Sequence, residues 1–489
     1  MTDSPDQPTE VFSRRAAREG TAKTSAPKGG IRAIIAQHPR VWLFSAIGVV
    51  FLLLATGSLF AGIAAGSGRV EAVPLPTDSA PPPRTQPTAV PAGSHLRTCS
   101  ITTAAAQADL GTLVGTVVNT ATGEVLFDRS GSSANPPANV NQLLAAANAI
   151  KLLGASTQLS TRVVDGSSEG TIVLVGGGDP TLATSSDTVY DGAPLISDLA
   201  TSAMAAYTAK HPGKPITTIV LDTSLWSVSD NWDETWPSSE RANGYMPYIV
   251  PLMVDGDRDD PSDPESARGS DPVMRAAQAF VSAAGLSGVT FTSGSATSST
   301  VLAEVKSQPI STLVGQMLTN GDNALAEMLT RVASKVTGLG GTSASIAQMF
   351  PLTLKDLGLD TTGLVSRDGS GESPANLVPP RLVAQLLQKV RANEADLGAL
   401  YAGMPVAGQT GDLYNRFTGD NAVAAGKVVA VTGWITNERS LAGVINAADG
   451  TPLSFAFYAI GDIISTDTKQ ALDTLATAAF TCGDNLSNN

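Results

Sequence analysis

Histidine is scarce in this chain: three in 489 residues, at positions 38, 95 and 211. None stands in a setting that suggests a Ser-His-Asp triad. No Cys/His cluster has the spacing of a zinc site, so neither a metal centre nor another cofactor is expected. Positive charge is short as well. Lys and Arg total 31 against 44 Asp and Glu, a net charge of −13, which argues against nucleic acid as a partner. Cysteine is limited to Cys99 and Cys482. A glycine-rich run at 176–180 follows a strand-like segment, but it lacks the Lys and Ser/Thr of a phosphate-binding loop.

One absence is local. Residues 41–67 (VWLFSAIGVVFLLLATGSLFAGIAAGS) contain no charge and are long enough to span a bilayer as a helix. Residues 1–40 carry seven Lys/Arg against four Asp/Glu, so the positive-inside rule places this tail in the cytoplasm and the body outside. A cleaved signal peptide is the alternative; the 40-residue leading tail suits an uncleaved, single-pass anchor better. The expected organisation is a disordered cytoplasmic tail (1–40), a membrane segment (41–67), a Pro-rich stalk (68–97) and a folded body, with a short tail at 483–489. Cys99 and Cys482 bracket that body. In an oxidising compartment they are expected to close a disulfide rather than remain as thiols.

Within the body, the stretch 115–150 reads as strand, turn, strand, then a Pro-marked entry into an Ala- and Leu-rich helix. Helices are also expected at 104–113, 195–210, 272–284, 313–318, 324–336, 380–392 and 469–480. Strands are expected at 161–165, 171–175, 217–221, 428–431, 441–445 and 455–459, the last two as a hairpin around Ala448-Asp449-Gly450. Trp226, Trp232 and Trp236 cluster in one polar loop, where they either pack an irregular insert or offer a sugar-stacking platform. Strands at both ends with helices between suggest one α+β domain completed by both termini.

Several phrases, in order, carry a resemblance: ATGEVLFDR at 121–129, LVGGGDPTL at 174–182, IVLDTSLW at 219–226, RDGSG at 367–371, MPVAGQTGDLYNRF at 404–417 and DGTPLSFAFYAI at 449–460. The body resembles the D-alanyl-D-alanine carboxypeptidase/endopeptidase family, the class C low-molecular-mass penicillin-binding proteins. The resemblance implies a β-lactamase/DD-peptidase-like α+β domain formed by 98–182 and 300–482, with inserted domains at 183–299. It also implies peptidoglycan stem peptides as the substrate class. Such enzymes use a Ser-x-x-Lys at a helix start, a Ser-x-Asn, and a Lys-Thr-Gly on an edge strand that binds a terminal carboxylate beside an oxyanion hole.

At the matching positions the chemistry is missing. Where Ser-x-x-Lys belongs stand Asn139 and Gln142; where Ser-Asp-Asn belongs stand Gly321, Asp322 and Asn323; where Lys-Thr-Gly belongs stand Val431, Thr432 and Gly433. Other matches are out of place: Ser25-x-x-Lys28 in the tail, Ser133-Ala134-Asn135, Ser229-Asp230-Asn231, and Gln409-Thr410-Gly411 inside the phrase that precedes the third motif. A carboxamide is no acylation nucleophile, and loss of a serine nucleophile alone costs on the order of 10⁶ in turnover. The expectation is a membrane-anchored pseudoenzyme that binds stem peptides or a cell-wall protein, with Asn323, Thr432, Gly433 and Ser370 as contact residues. An active serine-type carboxypeptidase with an unrecognised nucleophile, and a purely structural envelope anchor, are the alternatives.

Overall fold

The computed structural model describes residues 96–462 and 464–488. The expected cytoplasmic tail, the membrane segment 41–67, most of the stalk, His38, His95 and the Ser25–Lys28 match lie outside them. Among the described residues no helix is long and apolar enough to cross a membrane.

Two five-stranded sheets organise the body. The first contains β1 (Thr112–Asn119), β2 (Val125–Arg129), β8 (Val428–Ile435), β9 (Glu438–Asn446) and β10 (Pro452–Ile460), in the order β2-β1-β10-β9-β8. All its pairings are antiparallel. Both ends of the described body therefore meet in one sheet, β1 lying against β10 with Leu113 opposite Ala459. The expected helix at 104–113 does not form. Short helical turns occupy Thr102–Ala105 and Ala108–Leu110, and β1 begins at Thr112. The cause is Gly111, which takes a φ of +55° and lies so close to the Ile460 carbonyl that a Cβ would collide with it.

One face of this sheet packs under α8 (Thr466–Cys482), burying Phe455, Phe457, Leu472 and Leu475. The Cys99–Cys482 disulfide forms as expected, tying the segment before β1 to the end of α8. The other face packs on the helices α1 (Asn141–Leu153) and α7 (Pro380–Arg391) and joins the larger core. Ten consecutive residues of α1 are buried, from Asn141 to Ile150. Each large aliphatic side chain among them contributes roughly 1.5–3 kcal/mol, so this helix is fixed by burial rather than by its ends. Around it stand α4 (Ile310–Asn320), α5 (Asn323–Val336) and α6 (Ser343–Asp356).

The second sheet leaves the chain after α1 and returns at α4. Its order is β6-β5-β4-β3-β7, with β3 at Gln158–Asp165, β4 at Thr171–Val175, β5 at Thr218–Asp222, β6 at Thr290–Ser293 and β7 at Val301–Pro309. β4, β5 and β6 run parallel. Their crossovers are α2 (Ile196–Lys210) and α3 (Pro272–Ala283), which cover one face. The expected boundaries at 182/183 and 299/300 fall inside this unit: β3, β4 and β7 share a sheet with the strands of the excursion. Trp226 and Trp236 are each 4% exposed, and Trp232 stacks edge-on against Trp236 at 5.3 Å, so the cluster is packing.

Candidate functional site

The positions singled out in the sequence converge at the N-terminal end of α1. Pro137 leads into a 3₁₀ turn at Ala138–Val140 that runs on into α1. Ala138 takes a φ of +48°, which a residue with a side chain holds only at a cost of order 1–3 kcal/mol. Two neighbours impose it. Gly371 packs on the Ala138 carbonyl, and β8 lies so close that a Cβ on Gly433 would come within 2.6 Å of the Asn139 nitrogen. On the adjacent strand, Ser440 Oγ donates to the Pro137 carbonyl at 2.7 Å. The strained turn that would present a nucleophile is thus fully built.

Three carboxamides fill it. Asn139 Nδ2 donates to Asn323 Oδ1 at 2.8 Å, and Gln142 Nε2 donates to the same oxygen at 3.0 Å. Asn139 also points Nδ2 at the Ser370 carbonyl, 3.5 Å away. Its own oxygen accepts the backbone N–H of Trp434 at 3.3 Å. That amide belongs to the residue after Gly433 on β8. Gln142 is 2% exposed and Asn323 7%, whereas Asn139 is half-buried and faces the cleft.

The second motif sits at a helix junction. Gly321 ends α4 in the left-handed conformation, and Asp322 caps α5 by accepting the Leu325 N–H at 2.8 Å. The other Asp322 oxygen accepts from Arg258 Nη2 at 3.0 Å and from the Tyr190 hydroxyl at 3.1 Å. Burial alone would raise the Asp322 pKa, but the Arg258 and Arg268 charges hold it below the ordinary value. Arg258 and Tyr190 come from the excursion between α1 and α4, so that excursion braces the residue beside Asn323.

The third motif lies on β8. Val431 is 4% exposed and part of the apolar core. The Thr432 hydroxyl donates to the Ser440 carbonyl at 3.1 Å and accepts from Arg416 Nη1 at 2.7 Å. Arg416 is in turn paired to Asp473 on α8 at 2.6 Å. Ser370 is fully buried and reaches the site through its carbonyl, its hydroxyl accepting from the Glu372 N–H.

Beneath the cleft lies a buried carboxyl pair. Glu327 Oε1 accepts the N–H groups of Gly369 and Ser370 at 2.8 and 2.7 Å, while Oε2 has no partner. Asp368 accepts four donors: Trp236 Nε1, Asn376 Nδ2, and the Gly371 and Ser373 amides. Burial first, then the Asp368 charge, pushes the Glu327 pKa up to about 8. With four donors on Asp368, the proton of the pair rests on Glu327.

The roles of Arg258, Tyr190, Asp368 and Arg416, and the bond from Trp236 to Asp368, were not legible in the sequence. Each acts on a partner distant in the chain, and no short pattern marks them. The misplaced motif matches have structural uses: Asp230 pairs with Arg331 at 2.8 Å and bonds Ser343 at the start of α6.

Comparison with known proteins agrees with this frame. The chain is 31% identical to a carboxypeptidase DacB of Mycolicibacterium smegmatis, over 89% of this chain and 95% of that protein. It is 31% identical to a carboxypeptidase of Mycobacterium tuberculosis, over 79% of this chain and 84% of that one. The fold is similar to the crystal structure of penicillin-binding protein 4 from Haemophilus influenzae, with a TM-score of 0.62, 19% identity, and 76% and 95% of the two chains covered. The model of the D-Ala-D-Ala carboxypeptidase 3 (S13) family matches residues 98–284 and 263–479, and the chain belongs to that family.

Proposed function

We propose that this protein is a non-catalytic member of its family. It holds peptidoglycan stem peptides, or a cell-wall protein, in a cleft that no longer acylates, outside a membrane in which residues 41–67 anchor it. The observation that carries the reading is the closed carboxamide network of Asn139, Gln142 and Asn323. Acyl transfer needs a hydroxyl made nucleophilic by a neighbouring base. Here both nitrogens are delocalised amide nitrogens, already donating to one oxygen, and the base position is an amide without a titratable proton. Glu327, the buried carboxyl beneath the cleft, has its Oε1 committed to two backbone amides. What remains is a frame suited to recognition: a strained turn, the Trp434 amide and a strand edge.

The test is incubation of the purified full-length chain with a fluorescent penicillin, alongside titration with muropeptides. The expected result is no covalent adduct and saturable muropeptide binding. A stoichiometric adduct would sink the non-catalytic reading. Absence of both would leave the structural anchor.

A further inference from the structure

The strand behind the cleft carries a buried carboxyl that the site does not use. Side chains alternate along β9, so Glu438 shares a face with Ser440, Ala442 and Val444, the face that joins the larger core. In the sheet register Gly433 and Tyr458 flank Ser440, while Ile435 and Ile460 flank Glu438. Glu438 therefore stands one row beyond Ser440, whose hydroxyl holds the Pro137 carbonyl. It also opens β9 directly after the two-residue turn Thr436-Asn437. The other strand of that hairpin brings the Trp434 amide to Asn139.

The surroundings of Glu438 are unsuited to a charge. The residue is 1% exposed, and both of its carboxyl oxygens are buried without a hydrogen-bond partner. Glu327, by contrast, keeps one oxygen on two backbone amides. On this face β8 offers Gly433 and Ile435, and the turn that packs on β8 and β9 is Ala138–Val140; none of these residues is ionisable. Arg439, next in the chain, points to the opposite face, where its guanidinium lies over the Trp434 ring. The titratable group set against Glu438 is Tyr458 on β10, a diagonal neighbour that is fully buried and whose hydroxyl also lacks a partner. Burial pushes the Tyr458 pKa up, and the Glu438 charge adds to that. Burial alone raises the Glu438 pKa well above the carboxylate range, with no cation to offset it. An ionised carboxyl without counter-charge or donors is strongly unfavourable in such a place. It can keep its proton or leave for water, and water is close, because Thr436 and Asn437 are exposed.

We propose that Glu438 is a positioning residue for this side of the cleft and that its protonation controls the cleft's shape. Neutral, it stays packed between Ile435 and Ile460 and keeps the end of the β8–β9 hairpin seated on the Ala138–Val140 turn. Ionised, it gives its proton to solvent and turns out past Thr436 and Asn437. The Ile435–Glu438 row then opens, and Trp434 and Ser440 lose their hold on Asn139 and Pro137. The native state binds a proton that the open state releases, so the closed form is favoured at low pH and lost as pH rises through the folded pKa. The device does not depend on what the cleft binds; only its effect on ligand affinity rests on the peptide-binding reading above.

The test is amide hydrogen exchange of the segment 433–440 in the full-length chain between pH 5 and 9, corrected for the intrinsic pH dependence of exchange. In the wild type, protection of this segment should fall with rising pH, by up to about tenfold per pH unit once Glu438 titrates. Glu438→Gln should lose that slope. Glu327 and Glu372 titrate in both proteins, so the difference between the two isolates Glu438. Glu438→Leu removes the orphaned oxygens at similar volume, and should be at least as protected as the wild type at every pH. Flat wild-type protection, or an equal slope in Glu438→Gln, overturns the proposal. Muropeptide affinity should follow the same profile in the wild type and lose it in Glu438→Gln; an equal affinity profile in both proteins overturns the control of the cleft. If neither protein binds muropeptide at any pH, the peptide-binding reading fails, and the exchange slopes alone decide on Glu438.

Discussion

Asp322 and Asn323 are neighbours in the chain and belong to opposite kinds of chemistry. Asp322 is an ionised carboxylate held by Arg258, Tyr190 and a backbone amide. Asn323 is neutral and receives two amide donors on one oxygen. A buried charge tolerates little, because removing its partner leaves it uncompensated in a medium of low dielectric. A neutral amide network can be exchanged residue by residue for about 1 kcal/mol each. The architecture therefore depends on the Asp322 junction, while the neutral network in the cleft next to it tolerates substitution.

The largest expected effect breaks the ionic side of that comparison. Arg258→Ala strips Asp322 of its counter-charge and Tyr190 of a donor, and should lower stability by about 3–5 kcal/mol, read as a lower urea midpoint. Adding Asp322→Asn should recover most of the loss, since the amide oxygen can still accept the Leu325 N–H. The pH dependence follows from the depressed Asp322 pKa. Its contribution is fully present above the unfolded-state carboxyl pKa, near 4, and is lost as pH falls through the lower folded value. The double variant should show a shallower acid decline than the wild type.

Glu327 has the opposite sign. Its pKa rises from 4.5 to about 8 in the folded protein, so the native state holds a proton that the unfolded chain releases. Stability should fall as pH rises between those values. Glu327→Gln keeps an acceptor for the Gly369 and Ser370 amides without a titrating group. It should flatten that slope and be more stable than the wild type at pH 8, measured by chemical denaturation at several pH values.

Much of the scaffold was legible because it is local or closes on itself. The β1–β2 hairpin, the apolar run that becomes α1, the β9–β10 hairpin and the Cys99–Cys482 bridge need only propensity, periodicity and compartment. The three motif positions followed from collinear phrases. What stayed hidden depends on long-range contact. Arg258 is 64 residues from Asp322, and Trp236 is 132 from Asp368; neither spacing has a local signature. The helix α6 escaped because Pro351 lies inside it and a glycine-rich stretch precedes it. The extent of the second sheet was hidden for a related reason. β3 and β7 lie far apart in the chain, and their pairing is set by the fold rather than by either strand's own residues.

The smallest effects sharpen the neutral side. Gln142→Ala and Asn139→Ala each remove one donor from Asn323 Oδ1 and leave the other, so each should cost about 1 kcal/mol. Asn139→Ala should be the milder, because Asn139 is half-buried and water can replace it. Together they orphan a buried oxygen, so the double variant should lose more than the sum, by about 0.5–1 kcal/mol in a double-mutant cycle. Simple additivity would mean that the two donors do not share one acceptor in solution. Asn139→Ala also vacates the Trp434 amide. If the carboxamide stands where a ligand's acyl oxygen would sit, this variant should bind muropeptides about three- to tenfold more tightly than the wild type, a gain of about 1 kcal/mol. Weaker binding would show that Asn139 contacts the ligand rather than competes with it.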